Sequence, residues 1–158
     1  MRVYLDNCCC NRPFDDQTQL RIRLETEAKL RIQHLMRTGT IEYAWSKVLD
    51  YEIGQSPYFD QTDEVSVWVE WANIYIEMSD AIAAAGAAIM RYGVKRMDVL
   101  HIASAKAADC DWFLTTDRGI LKRMTLTDSA TEIFGSFCGK LICRACLPFP
   151  YTTNGTAF

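Results

Sequence analysis

Two short apolar runs in this chain lead to an acid: Val3-Tyr4-Leu5 to Asp6, and Trp112-Phe113-Leu114-Thr115-Thr116 to Asp117. Runs of this length, aromatic and β-branched with no polar alternation, read as strands buried on both faces. Helical-period segments separate them from each other and from further strand-like runs. A chain that alternates strand and helix in this way builds a parallel sheet covered on both faces. In such sheets ligands lie in the crevice beyond the carboxyl ends of the strands. Asp6 and Asp117 therefore fall at the same edge of the sheet, where that crevice opens.

The rest of the chain supplies the alternation. Asn11-Arg12-Pro13-Phe14-Asp15-Asp16 reads as a polar turn after the first strand. A long helical pattern follows, with Leu20, Leu24, Ala28, Leu30, Leu35 and Met36 near one face. Arg21, Arg23, Glu25, Glu27, Lys29 and Arg31 mostly occupy the remainder, and Gly39 ends the helix. Ile41 to Trp45 alternates as a strand, and Ser46 is an N-cap for Val48 to Ile53, which stops at Gly54 and Pro57. Asp60 to Trp71 reads as a helix whose pattern around Trp68 and Trp71 leaves an exposed apolar face. Asn73 to Met78 is a strand, and Ser79 caps an alanine-rich helix closed by Gly93. Met97 to Ala108 is helical, and Gly119 to Met124 forms a short helix after the Asp117 strand. Ile133-Phe134 and Lys140 to Cys143 read as late strands. The expected domain spans 1–147, with 148–158 as a flexible tail.

Composition sets the class without choosing the chemistry. The 158 residues, 49% hydrophobic and 23% charged, suffice for one soluble domain with a core of its own. A net charge of −3 does not advertise nucleic-acid binding. Four acids committed to a cation site would, however, leave 16 acidic residues against 17 basic ones, a balance of +1. A phosphate-rich substrate is therefore compatible with this chain. The apolar stretch after Met1 is too short for a signal peptide, and Ala81 to Met90 is too short to span a bilayer. With seven cysteines, that points to reduced thiols in a cytoplasm. Cys143 and Cys146 form one C-x-x-C near Cys138, but no second pair exists to complete a zinc site, so buried or idle thiols are the preferred account.

Two further acids occupy places comparable to Asp6 and Asp117. Glu52 lies in Ser46-x5-Glu52, on a helix that follows a strand. Asp98 sits in the first turn of the helix running into Val99-Leu100-His101. Singly, each acid has a plain structural account: Asp98 starts a helix, Glu52 sits on a solvated face, and Asp6 and Asp117 cap turns. Together they suit a hard divalent cation, which takes oxygen ligands. Hydrolysis of a phosphodiester needs a nucleophile near neutral pH and charge stabilisation at phosphorus, and such cations supply both. His34 and His101 lack the partners of nucleophilic catalysis, and His101 reads as core. Arg12, Lys95, Arg96, Arg118, Lys122 and Arg123 lie in or just beyond loops adjoining the acids and are the candidates for phosphate contacts.

Tyr4-Leu5-Asp6, Ser46-x5-Glu52, Asp98-x-x-His101-Ile102-Ala103-x-Ala105 and Phe113-Leu114-Thr115-Thr116-Asp117, in that order, resemble the motifs of PIN-domain nucleases. The resemblance runs from Val3 to about Lys122. It implies an α/β fold, a three-layer α/β/α sandwich with a central parallel sheet in strand order 3-2-1-4-5. It also implies an acidic pocket binding Mg²⁺ or Mn²⁺, with Asp6, Glu52, Asp98 and Asp117 as the metal-site and catalytic acids. Asn7 and Thr115 or Thr116 would be polar supports. The activity implied is metal-dependent cleavage of RNA, as in toxins of the VapC kind, with a protein antitoxin and a homodimer as associations and no membrane. Chains of this family usually finish with a strand running into Asn-Pro. Here the stretch is Ile142 to Pro148 without that pair, so the register of the last strand stays open. A receiver domain would need paired acids after the first strand, and Asp6-Asn7 lacks the pair. An Asp-x-Asp phosphatase is not met by Asp6-Asn7-Cys8. A PIN-like fold kept only for binding or regulation is the alternative, and the cheap sign of it would be the loss of one of the four acids.

Overall fold

Residues 1–125 and 141–142 are described by the structure, a computed structural model. Strand β1 (Arg2–Leu5) is buried on both faces, with Val3, Tyr4 and Leu5 each at most 1% exposed. A continuous apolar run of this kind belongs inside a sheet rather than at its edge. β1 pairs in parallel with β2 (Glu42–Ser46) on one side and β4 (Trp112–Leu114) on the other. β3 (Ile74–Ile76) joins β2, and the two-residue β5 (Leu141–Ile142) joins β4, again in parallel. The order is β3-β2-β1-β4-β5, with β1 to β4 as the body of the sheet.

Two helices begin as the serines dictate. Ser46 Oγ accepts the Leu49 amide at 3.2 Å to open α3 (Lys47–Gly54), and Ser79 Oγ accepts the Ile82 amide at 3.3 Å to open α5 (Asp80–Met90). α5 lies against α6 (Arg96–Ala107), and Gly86 sets the approach: a Cβ there would sit 3.1 Å from Leu100 Cδ2. α7 (Arg118–Thr125) follows β4 directly.

Three segments differ from expectation. The stretch after β1 is helical, with α1 (Asn7–Asn11) running into a 3₁₀ turn, Arg12–Phe14, where Pro13 sits in the first turn. The single helix expected over Asp60 to Trp71 is α4 (Phe59–Ser66) followed by a 3₁₀ turn, Val67–Trp71. Trp68 there is 1% exposed and stacks on Trp71 with ring centroids 6.0 Å apart, so the expected apolar surface is core. The third difference is α2 (Leu20–Arg37), which turns Leu20, Leu24 and Leu30 outward and buries Ile22, Glu25, Thr26, Lys29 and Met36.

The buried charges of α2 explain that rotation, because each meets a partner. Arg12 Nε and Arg21 Nη1 both lie 2.9 Å from Glu25 oxygens, and Lys29 Nζ lies 3.9 Å from the centre of the Trp68 ring. Burial pushes the Lys29 ammonium down to about 8. Among the described residues no helix is long and apolar enough to cross a membrane. Ile133-Phe134, Cys138, Cys143, Cys146 and the tail 148–158 lie outside the described residues.

Candidate metal centre

Asp6 stands where β1 ends, and its amide still bonds Leu114 O at 2.9 Å, so the backbone is fixed by the sheet ladder. Its buried side chain accepts from Thr115 Oγ1 at 2.7 Å and from Cys8 Sγ at 3.1 Å, both on Oδ2. Thr115 Oγ1 in turn accepts the Asp117 amide at 3.0 Å. One threonine thus ties together the acids that follow two neighbouring strands.

Asp117 is also the cap of α7. Its Oδ1 accepts the Gly119 amide at 2.5 Å and the Ile120 amide at 3.2 Å. A Cβ on residue 119 would lie 2.9 Å from that oxygen, so glycine is what the cap requires here. Asp98 lies in the first turn of α6, partly buried. Burial, and then the negative charges of Asp6 and Asp117, raise its carboxyl above the ordinary aspartate value, with Lys95 pulling it back only in part. Glu52, on α3, has its Oε2 2.8 Å from His101 Nε2.

All four acids line one cleft of about 520 Å³. Asn7, Lys95 and Arg96 line it as well, and so do Cys8, Asn11 and Met97, which the sequence did not single out. Asn11 follows Asn7 by one turn of α1 and donates to its Oδ1 at 3.3 Å, a relation hidden while that stretch reads as a turn. Arg12 does not line the cleft, because its guanidinium is occupied by Glu25 and by Asp15 at 2.6 Å. Thr116 is buried outside the lining, with its amide donating to Cys8 Sγ at 3.1 Å; Thr115 is the threonine that supports Asp6. Arg118, Lys122 and Arg123, on exposed positions of α7, do not line the cleft either.

His101 is part of the site rather than plain core. One oxygen each of Asp6 and Glu52 and one nitrogen of its ring lie within 4.8 Å of one another. The donor chemistry of the cleft is otherwise carboxylate oxygen, which suits a hard divalent cation. Burial is the largest cause of the rise at Asp98 and the neighbouring acids add to it, and a cation would offset the acids' share.

The fold and the cleft together define a mixed α/β protein with a parallel sheet and an acidic group at its carboxyl edge that could hold a metal ion. No family model and no curated protein matches the chain. Among solved structures it is similar to a chain of the crystal structure of VapBC2 from Rickettsia felis bound to a DNA fragment from their promoter. The TM-score is 0.50 and the identity 14%, over 77% of this chain and 92% of that one. At that identity the likeness speaks for the fold.

Proposed function

We propose that this protein is a metal-dependent endoribonuclease of the PIN type, hydrolysing RNA phosphodiester bonds, and the toxin of a toxin–antitoxin pair. One observation carries the nuclease reading: four carboxylates from four separate segments meet in one cleft that Lys95 and Arg96 also line. Asp6, Glu52, Asp98 and Asp117 would hold Mg²⁺ or Mn²⁺. That cation supplies charge neutralisation at the phosphoryl oxygens and eases deprotonation of the attacking water. Lys95 and Arg96 bind the phosphate backbone, and Asn7 and Asn11 offer amides to the same strand. Thr115 and the α7 cap keep Asp6 and Asp117 in place without help from substrate.

The toxin role draws support from the likeness to a VapBC2 chain, and a protein antitoxin is the partner it suggests. A homodimer belongs to the same proposal, with two-fold symmetry as its default form. Leu20, Leu24 and Leu30 of α2 are among the exposed apolar side chains of the described residues, whereas Trp68 is buried. The test is direct. The purified protein should cleave RNA with Mg²⁺ or Mn²⁺ and not in EDTA, and Asp6→Asn and Asp98→Asn should each abolish cleavage with an unchanged far-UV circular dichroism spectrum. Cleavage that survives in either variant or in EDTA overturns the reading.

A further inference from the structure

Behind Glu52 lies a buried chain of side chains that no step of phosphodiester hydrolysis uses. Ser46 Oγ accepts the Leu49 amide at 3.2 Å, and Tyr4 OH lies 2.6 Å from Ser46 Oγ and 2.8 Å from His101 Nδ1. His101 Nε2 then meets Glu52 Oε2 at 2.8 Å. Ser46, Tyr4 and His101 are each at most 1% exposed, so they must satisfy one another.

One order of protons does this completely. The Glu52 carboxylate can only accept, which puts a proton on His101 Nε2, and Nδ1 must accept if the Tyr4 and Ser46 hydroxyls are both to have an acceptor. Tyr4 donates to Nδ1, Ser46 donates to the Tyr4 oxygen, and the Leu49 amide donates to Ser46. Every donor points one step closer to Glu52. The chain leaves the first turn of α3, crosses β2, β1 and α6, and returns to a carboxylate on α3 itself.

We infer that His101 is a positioning residue: its Nε2–H, fixed in that tautomer by Tyr4 and Ser46, holds Oε2 of Glu52 and leaves Oε1 for the cleft. His101 is not a ligand despite its proximity to the acids, because neither ring nitrogen has a lone pair to spare. This rests on the cleft being a cation site. Outer partners of metal-binding side chains are worth about 10- to 100-fold in metal affinity, which sets the size of the effect.

The test combines two measurements on the full chain. The ¹⁵N spectrum of the His101 ring in metal-free protein reads the tautomer, and titration with Mn²⁺ followed by electron paramagnetic resonance reads affinity. The Nε2–H tautomer is expected in the parent. Tyr4→Phe and His101→Ala should each weaken Mn²⁺ about 10-fold or more, whereas His101→Gln should stay within about threefold, because its amide nitrogen can still donate to Glu52. A glutamine variant as weak as the alanine variant would make the imidazole a ligand and overturn the inference. An Nδ1–H tautomer in the parent, or a Tyr4→Phe protein that binds Mn²⁺ like the parent, would overturn it equally. Should His101→Ala fail to fold, the tautomer and Tyr4→Phe still decide. A parent that shows the Nε2–H tautomer but binds no Mn²⁺ overturns the metal centre instead.

Discussion

Asp117 both caps α7 and lines the cleft. Oδ1 is held by the amides of Gly119 and Ile120, so the cap of α7 also fixes how the carboxyl group enters the cleft. Gly119→Ala would place a methyl 2.9 Å from Oδ1 and 3.1 Å from Arg123 Nη1. The variant should lose about 1–3 kcal/mol, the usual cost of overfilling a packed site, and should bind Mn²⁺ more weakly. Thermal melts in EDTA and a Mn²⁺ titration read the two effects, and a variant unchanged in both would show that the cap places no constraint on the acid. Asp98 answers to a different force. Its carboxyl is raised by burial and by Asp6 and Asp117, so the folded chain keeps that proton to higher pH than the unfolded chain does. The associated stability is whole below the ordinary aspartate range and is lost as pH rises through the raised value. Metal-free parent should therefore weaken as pH rises above the ordinary aspartate range, and Asp98→Asn should weaken less. Near neutrality the variant should melt higher by on the order of 1 kcal/mol or less, since a partly exposed group is screened. Melts of both proteins in EDTA decide it, and a variant less stable throughout would leave Asp98 as a helix starter only.

At the scale of elements, local chemistry was legible and remote pairing was not. Ser46 and Ser79 announce α3 and α5 because an N-cap bonds an amide three residues away. The aromatic and β-branched runs announce β1, β2 and β4 for an equally local reason. α2 defeats its own periodicity, because Glu25 and Lys29 are buried by Arg12 and Trp68, which belong to other segments. The same limit hid the hydrogen bonds of His101, whose partners Tyr4 and Glu52 come from β1 and α3. Asp6 and Asp117 were legible as acids after strands and Asp98 as an acid in a first helical turn, whereas Glu52, late in α3, was singled out by its spacing from Ser46. Arg12 and the pair Lys95 and Arg96 therefore part company. Arg12→Ala should cost about 2–3 kcal/mol by leaving Glu25 short of a buried partner, with kcat and KM for RNA unchanged. Lys95→Ala and Arg96→Ala, both at exposed positions, should melt within about 0.5 kcal/mol of the parent and raise KM. An Arg12→Ala protein that melts normally and binds RNA poorly would reverse the assignment.

For the molecule as a whole, the cleft is a sum of distant parts: the end of β1, α3, the start of α6 and the cap of α7. A cation that binds only where these meet stabilises the entire fold by mass action, by about 2.7 kcal/mol at a hundredfold excess over Kd. Mn²⁺ should raise the Tm of the parent in that proportion, and Asp98→Asn should gain less; equal gains would remove Asp98 from the ligand set. Strand order adds a constraint of another kind. β1 lies between β2 and β4 but is synthesised before both. Its β4 edge waits for Trp112 to Leu114, which at roughly 5–20 residues per second is roughly 5–20 s of translation. Until then Asp6 has no Thr115 to hold it, and Asp117 has yet to be made. Under the proposed function, a centre built in this order would stay incomplete, and its own message safe from it, while the ribosome is still reading the codons between its first acid and its last.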